Sequence, residues 1–267
     1  MSSVRGRRRG RRGFAALAVL VIVGLATTSL GTQPSRAVTS PGATPRVALL
    51  LGDSLTRETT PRFVPPTGWQ LEVDAWPGIA PCDWLTGGHP NFYDDIKKRP
   101  AAVVIETAGN DRTKCMKVGG ALPVVGSPAF IARYESSLST IFSFSRAYGA
   151  TVILLDAPPL LEPHLGAALA TIDAWAQGVE HVATSSAPRD AVSLHGAFAV
   201  ALPCLRGETA KDGCRRGWIP VRTTNAKYHL HFCPYDADFT YFFTCSVYSS
   251  GEVRWARATM RLLKLVH

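Results

Sequence analysis

The first 37 residues of the chain contain no Asp, Glu or Lys, although seven arginines lie there. When these arginines are set aside, the formal charge of the 267-residue chain falls from +9 to +2. The basic character therefore belongs largely to the N-terminal segment. It gives no reason to infer nucleic-acid binding, and we expect no nucleic-acid partner.

Internal repeats and low-complexity tracts are also absent from the body of the chain, and charged residues make up only 18% of the sequence. Hydrophobic residues make up 46%. This composition is typical of one globular domain with a sizeable core. We assign residues 46–267 to that domain and residues 38–45 to a linker, and we expect a monomer.

Residues 1–37 have the pattern of an export segment. An arginine-rich start is followed by the apolar run of residues 14–30, which is the order found in secretory signals. That run is near the lower limit for crossing a bilayer, so a retained membrane anchor is the alternative to cleavage. Either way, we expect the globular domain to be exported. It would be secreted or held on the outer face of the cytoplasmic membrane.

All six cysteines lie in the globular part, and their even number suits three disulfides in an oxidising compartment. We predict Cys204–Cys214 and Cys233–Cys245, because each pair closes a short loop in an irregular segment. We also predict Cys82–Cys115, which would join two loops at one edge of the sheet described next.

Short apolar runs alternate with helical patterns along the domain. Buried strands are predicted over Val47–Leu51, Ala102–Thr107 and Thr151–Ala157, an edge strand over Gln70–Ala75, and a fifth strand over Asp190–Leu194. Strands that alternate with helices indicate a parallel sheet with helices on both faces.

The helical patterns lie between and after these strands. They cover Asp83–Lys98, Ala129–Tyr148, Leu165–Ser185 and Gly251–Val266. A long segment rich in turn residues, Pro203–Thr244, fits neither pattern, and we predict a disulfide-braced cap beside the functional site.

Ligands of such sheets bind at the carboxyl ends of the strands. Ser54 follows the first predicted strand, Gly78 the second and Asn110 the third, while His231 precedes the last helix. A serine is a weak nucleophile until a base such as histidine takes its proton. Backbone and amide N–H groups can stabilise the oxyanion that follows. These residue types therefore suit acyl transfer from an ester.

Three segments of the chain resemble, in order and spacing, the sequence blocks of the SGNH or GDSL hydrolase family. They are Gly52-Asp53-Ser54-Leu55, Gly78 and Gly109-Asn110-Asp111. The resemblance spans roughly residue 47 to the C-terminus. It implies a flavodoxin-like three-layer α/β/α sandwich with a five-stranded parallel sheet. It also implies Ser54 as nucleophile and an oxyanion hole formed by Ser54, Gly78 and Asn110. The G-x-S-x-G motif is absent, which argues against a conventional α/β-hydrolase.

The fourth block departs from the family pattern. His231 matches the family histidine, but position 228 holds tyrosine where the family has the aspartate that orients the base. A backbone carbonyl could hold the imidazole in a Ser-His dyad, or Asp236 or Asp238 could replace the aspartate. The spacing His229-x-His231-x-Cys233 also allows a zinc site, although a disulfide suits an exported cysteine better.

These features together predict an exported serine esterase that hydrolyses or transfers an acyl group of a carbohydrate or lipid ester. The cysteine-bearing loops and the late histidine block resemble the SGNH domains found beside membrane acyltransferases. The missing aspartate motivates an alternative, a degenerate SGNH domain that binds cell-wall glycan. We expect a small-molecule or glycan ester as ligand and no metal or cofactor. If the export segment is retained, residues 14–30 would attach the protein to the membrane.

Overall fold

A computed structural model describes residues 44–88, 91–222, 231–232 and 250–266 of the chain. Its main sheet has five parallel strands in the order β2-β1-β3-β4-β5. The strands are β1 Arg46–Gly52, β2 Trp69–Ala75, β3 Ala102–Ile105, β4 Thr151–Leu155 and β5 Val182–Ser185.

Helices cover both faces of this sheet. They are α1 Ser54–Thr59, α2 Phe92–Ile96, α3 Pro128–Ala147, α4 Pro163–Gln177, α5 Ala187–Ala191 and α6 Ser250–Leu262. Successive strand residues point to opposite faces. Leu49 and Leu51 therefore join the core under α3 and α4, while Ala48 and Leu50 pack with α6. The predicted three-layer α/β/α sandwich with five parallel strands is confirmed, in the strand order of flavodoxin-like folds.

The long helix α3 forms where the sequence predicts it. The Ser127 hydroxyl accepts a hydrogen bond from the Phe130 N–H at 3.3 Å, and Pro128 occupies the first turn. Gly149 follows the helix with a φ of +83°, a conformation that favours glycine. The segment predicted as one irregular helix over 83–98 instead holds a short 3-10 turn, Asp83–Leu85, and the helix α2.

The fifth strand was predicted in the wrong place. The helical pattern assigned to Leu165–Ser185 ends at Gln177, because Gly178 caps α4 there, and the chain continues as β5 beside β4. The predicted strand Asp190–Leu194 is divided between α5 and the two-residue strand β6, Ser193–Leu194. Pro188 in the first turn of α5 favours a helix over a strand at this point.

Two short antiparallel pairs extend the fold beyond the main sheet. β6 pairs with β7, Ala197–Phe198, and β8, Ala201–Pro203, pairs with β9, Trp218–Pro220. The predicted disulfide Cys204–Cys214 closes the loop between β8 and β9, so this part of the predicted cap is braced as expected. Cys82–Cys115 is also confirmed. Cys233 and Cys245 lie outside the described residues.

None of the helices within the described ranges is both long and apolar enough to cross a membrane. The apolar run 14–30 lies outside those ranges.

The two disulfides differ in the length of chain that they close, 33 residues for Cys82–Cys115 and 10 for Cys204–Cys214. Replacing both cysteines of a pair by alanine should lower the free energy of unfolding by about 4 kcal/mol for the first and about 3 kcal/mol for the second, since the entropy of an unfolded loop grows with its length. Urea denaturation under non-reducing conditions measures both losses. A larger loss from the Cys204–Cys214 pair would contradict this ranking.

Candidate active site

The helix α1 starts directly at the carboxyl end of β1. Gly52 ends the strand, and a Cβ atom at this position would lie only 2.1 Å from the Cβ of Thr56. The absence of a side chain thus lets the first turn of α1 fold back against the strand. Ser54 is the first residue of that helix, and Asp53 caps it by accepting a hydrogen bond from the Leu55 N–H at 2.9 Å.

The carboxylate of Asp53 also joins α1 to the segment after β3. Its second oxygen accepts hydrogen bonds from the Ala108 N–H at 2.8 Å and from the side-chain amide of Asn110 at 2.9 Å. The Tyr134 hydroxyl donates to the Asn110 carbonyl at 2.7 Å, which holds the other side of the residue. Ser54 and Asn110, predicted as site residues, are therefore connected through a buried carboxylate.

A second buried carboxyl group lies beneath this connection. Glu106 accepts hydrogen bonds from the Thr56 hydroxyl at 2.9 Å and from the Asp53 N–H at 3.2 Å. Burial and the nearby Asp53 charge raise the pKa of Glu106 well above its ordinary value. The neutral form of Glu106 is thus favoured beside Asp53, which would limit the negative charge buried under the site.

His231 contacts a carboxylate that the sequence analysis did not predict. The Nδ1 atom of the imidazole is hydrogen-bonded to Glu58 Oε1, and the Phe232 N–H donates to the other carboxylate oxygen at 3.0 Å. Both partners are buried, with 7% of His231 and 3% of Glu58 exposed. Phe232 in turn packs against Trp255 of α6, with 5.6 Å between the ring centroids. The imidazole is therefore fixed in orientation through its Nδ1 atom.

The same carboxylate changes the basicity of the imidazole. Burial acts to lower the pKa of His231, but the hydrogen bond and the negative charge of Glu58 outweigh it, so the pKa is raised above 6.5. Arg222 adds an opposing positive charge. Burial lowers the pKa of Arg222 itself to about 10.

Glu58 lies on the same helix as Ser54, one turn further along. Ser54 and Glu58 are four residues apart, so they lie on the same face of the helix. Helical side chains lean towards the N-terminus, which directs Glu58, with the imidazole that it holds, towards the end of α1 where Ser54 lies. The sequence shows a serine and a glutamate at i, i+4 spacing here, whereas the family pattern predicts the orienting carboxylate at position 228.

Gly78 lies three residues after β2, at the edge of the sheet next to the end of β1. Gly78 is exposed. Its φ of +77° lies in the region that favours glycine, so the backbone conformation is enough to explain a glycine at this position. Positions 228, 236 and 238 lie outside the described residues, as do His229 and Cys233 of the alternative zinc site. Within the described ranges, the closest set of metal-ligand types is Cys82, Asp83 and Cys115, whose two sulfurs are joined in a disulfide.

No family model and no curated protein matches this chain. Among solved structures, the chain is similar to a GDSL-like lipase from Bacteroides thetaiotaomicron, with 15% identity, 86% of this chain and 94% of that chain covered, and a TM-score of 0.49. It is also similar to an acetylxylan esterase from Geobacillus stearothermophilus, with 15% identity, 50% and 75% coverage, and a TM-score of 0.34. At this level of identity, we argue function from the residues of the site.

The neutral state of Glu106 can be tested through the pH dependence of stability. A raised pKa in the folded chain contributes stability below the ordinary value of 4.5, and this contribution is lost as the pH rises through the folded value. Glu106→Gln cannot titrate, so its free energy of unfolding relative to wild type should increase from pH 5 to pH 9. Urea denaturation across this range measures the difference. A free energy of unfolding of Glu106→Gln that runs parallel to that of wild type across this range would contradict the raised pKa of Glu106.

Proposed function

We propose that this chain is a serine esterase of the SGNH type, in which Ser54 is the nucleophile, His231 the base and Glu58 the residue that positions the base. The contact between Glu58 and the Nδ1 atom of His231 carries the proposal, because it leaves the Nε2 atom as the nitrogen that can exchange a proton with a serine.

In the first half of the reaction, His231 Nε2 takes the hydroxyl proton of Ser54 while the serine oxygen attacks the ester carbonyl. The tetrahedral intermediate then collapses, the bond between the carbonyl carbon and the alkoxy oxygen breaks, and the imidazolium gives its proton to the leaving alcohol. An acyl-serine remains. The negative charge of Glu58 stabilises the imidazolium that forms in between.

The second half repeats these steps with water. His231 takes a proton from the water molecule, which attacks the acyl-serine. The bond between the carbonyl carbon and the serine oxygen then breaks, the imidazolium returns its proton to Ser54, and the carboxylic acid is released. An alcohol in place of water would give acyl transfer instead, from the same intermediate. Product analysis in the presence of an alcohol acceptor separates hydrolysis from transfer.

The oxyanion of both intermediates requires donors that are already in place. An amide nitrogen carries two N–H groups, and the contact with Asp53 uses one of those on Asn110. The backbone N–H groups of Ser54 and Gly78 are the other two donors that we propose. Asp53 positions Asn110 and does not itself react.

We also propose that the esterase acts outside the cytoplasm. The two disulfides within the described ranges suit an oxidising compartment, and the basic and apolar segments within residues 1–37 suit an export signal or an anchor. The substrate class would be an ester of a short acyl group on a carbohydrate or a lipid.

The alternative of a degenerate glycan-binding domain was motivated by the missing aspartate at position 228. Glu58 supplies a carboxylate to the imidazole from another part of the chain, which favours catalysis over binding alone. A serine-directed phosphonate discriminates between the two, because only an activated serine reacts with it. Labelling of wild type but not of Ser54→Ala would support the esterase.

Ser54→Ala and His231→Ala should each lower kcat/KM for p-nitrophenyl acetate by about 10³-fold or more, because each removes a group that takes part in bond making. Glu58→Ala should lower it by about 10²–10⁴-fold, since the imidazole loses its orientation and its counter-charge. Ser136→Ala, at an exposed position of α3, is the control and should match wild type. Wild-type activity in Ser54→Ala would refute the nucleophile.

The pH profile tests whether Glu58 acts through His231. The base must be neutral, so activity should rise with pH through the raised pKa of His231, above 6.5. Glu58→Gln removes the charge that raises this pKa, and the acid limb of kcat/KM should therefore move to lower pH while kcat falls. A lower kcat with an unmoved limb would assign Glu58 a purely structural role. Glu58→Asp should retain part of the shift.

A further inference from the structure

Three cationic side chains are exposed on the last turns of α6. Arg257 and Arg261 are four residues apart on the helix, and Lys264 follows in the 3-10 turn Leu263–Leu265. At this spacing the three side chains lie along one face. None of them forms an ion pair with a carboxylate in the described part of the chain. Their charges are therefore available to an anionic partner.

A groove of about 570 Å³ lies beside these cations, which form part of its lining. The segment before β2 contributes Val64, Pro65 and Pro66 to the lining, and α6 contributes the buried Met260. Val64 is 78% exposed, although its side chain is apolar. Among the described residues that line the groove there is no carboxylate. The groove is thus basic and apolar at the same time.

The two arginines also line a second cavity, of about 440 Å³. Its lining includes Leu205 and Leu265, which are 57% and 70% exposed. Asp190 is the carboxylate in this lining, and its charge is already paired with Arg189. Cations and exposed aliphatic side chains therefore occur together around the end of α6. We define the basic face as Val64, Arg257, Arg261, Lys264 and Leu265.

The basic face lies at the end of the domain where the described chain enters β1. The Arg46 guanidinium, at the start of this strand, donates to the Val266 carbonyl at 2.9 Å. The proposed catalytic residues lie near the other end of α6, where a Cβ atom on Gly251 would be 3.0 Å from the Phe232 ring. Because α6 has 13 residues, its two ends are about 20 Å apart. A partner on the basic face would therefore leave the carboxyl edge of the sheet open.

The segment before β1 connects this end of the domain to the predicted export segment. Residues 31–44 can span at most about 50 Å when they are fully extended. If the apolar run 14–30 is retained in a bilayer, the bilayer surface lies within that distance of the start of β1. Such a tether raises the effective concentration of the lipid surface at the basic face.

The chemistry of the basic face discriminates between possible occupants. The N-terminal segment would be repelled, because residues 1–37 carry seven arginines and no Asp or Glu. A second copy of the chain would bring the same cations to a symmetric contact. A soluble polyanion would pair with the cations but leave the aliphatic side chains in water. An anionic lipid surface suits both, since its headgroups attract cations and aliphatic side chains enter its interfacial region.

We propose that the basic face is a docking surface for an anionic phospholipid bilayer, on which the domain rests with the carboxyl edge of its sheet directed away from the lipid. The proposal goes beyond the esterase reaction and does not depend on it, because docking uses the opposite end of α6.

Lysine footprinting of the full-length protein in vesicles tests the docking. The vesicles contain either phosphatidylcholine alone or an equimolar mixture of phosphatidylcholine and phosphatidylglycerol. Acetic anhydride modifies exposed lysines, and mass spectrometry gives the ratio of labelling at Lys264 to labelling at Lys117. Lys117 is exposed in the segment after β3, at the other edge of the sheet. Because both lysines belong to the same molecule, the ratio is independent of how many molecules are attached.

The labelling ratio should be about fivefold or more lower with phosphatidylglycerol than without it, because each cation near an anionic surface contributes about fivefold to binding. The ratio should recover in about 0.5 M NaCl, which screens the attraction. Arg257→Gln combined with Arg261→Gln should abolish the difference between the two vesicle types. Arg215→Gln combined with Arg216→Gln removes the same charge from the exposed loop between β8 and β9 and should retain it. Thermal unfolding verifies that both variants fold.

Three outcomes would overturn the docking surface. They are an unchanged ratio in the two vesicle types, a ratio that rises because Lys117 is the protected lysine, and protection of Lys264 that survives the Arg257 and Arg261 substitutions. Equal protection of Lys264 by soluble polyglutamate would also overturn it, in favour of a soluble polyanion. Since no readout uses hydrolysis, failure of Ser54 as nucleophile would leave the docking result unaffected.

Discussion

Asp53 accepts hydrogen bonds from three N–H groups with one buried carboxylate, and the site is built around these contacts. They cap α1 at Leu55 and hold Ala108 and Asn110 after β3. Removing the carboxylate would leave the buried donors unpaired, at a cost of about 1–3 kcal/mol each. The same contacts fix the start of α1, and through it the position of Glu58. The oxyanion side and the base side of the proposed site therefore depend on one carboxylate.

Ionisable groups are concentrated at the carboxyl edge of the sheet, where they are expensive to bury. Asp53 lies against Glu106, whose pKa is raised, and Glu58 lies against His231. Asp173 accepts a hydrogen bond from the Ala157 N–H, just after β4. Structural ion pairs also shift pKa values, but buried ionisable groups gathered along one edge of a sheet are typical of a functional surface. At His231 the hydrogen bond and charge of Glu58 outweigh burial and raise the pKa. At Glu106 burial and the Asp53 charge both raise the pKa.

Physical reasons separate the elements that could be predicted from the sequence from those that could not. Three of the first four strands were predictable because buried parallel strands are continuous apolar runs, and β2 was predictable as an alternating strand at the edge of the sheet. The helix α3 was predictable because Ser127-Pro128 and Gly149 mark helix ends chemically. The fifth strand was not predictable from the sequence. It has only four residues, Val182–Ser185, and so short a segment after Gly178 fits a helical pattern as well as a strand pattern. The disulfides Cys82–Cys115 and Cys204–Cys214 were predicted from loop proximity and are present.

The sequence by itself determined which segments follow the carboxyl ends of the strands, and with that the candidates Ser54 and Asn110, because apolar runs and turn residues act locally. His231 was a candidate through the resemblance of its block to the family pattern. Only the tertiary structure decided which carboxylate holds the imidazole. Glu58 and His231 are 173 residues apart, and their contact depends on the angle at which α1 leaves β1. The spacing of Ser54 and Glu58 is a local pattern, but the contact between Glu58 and His231 results from the packing of elements that are distant in the chain.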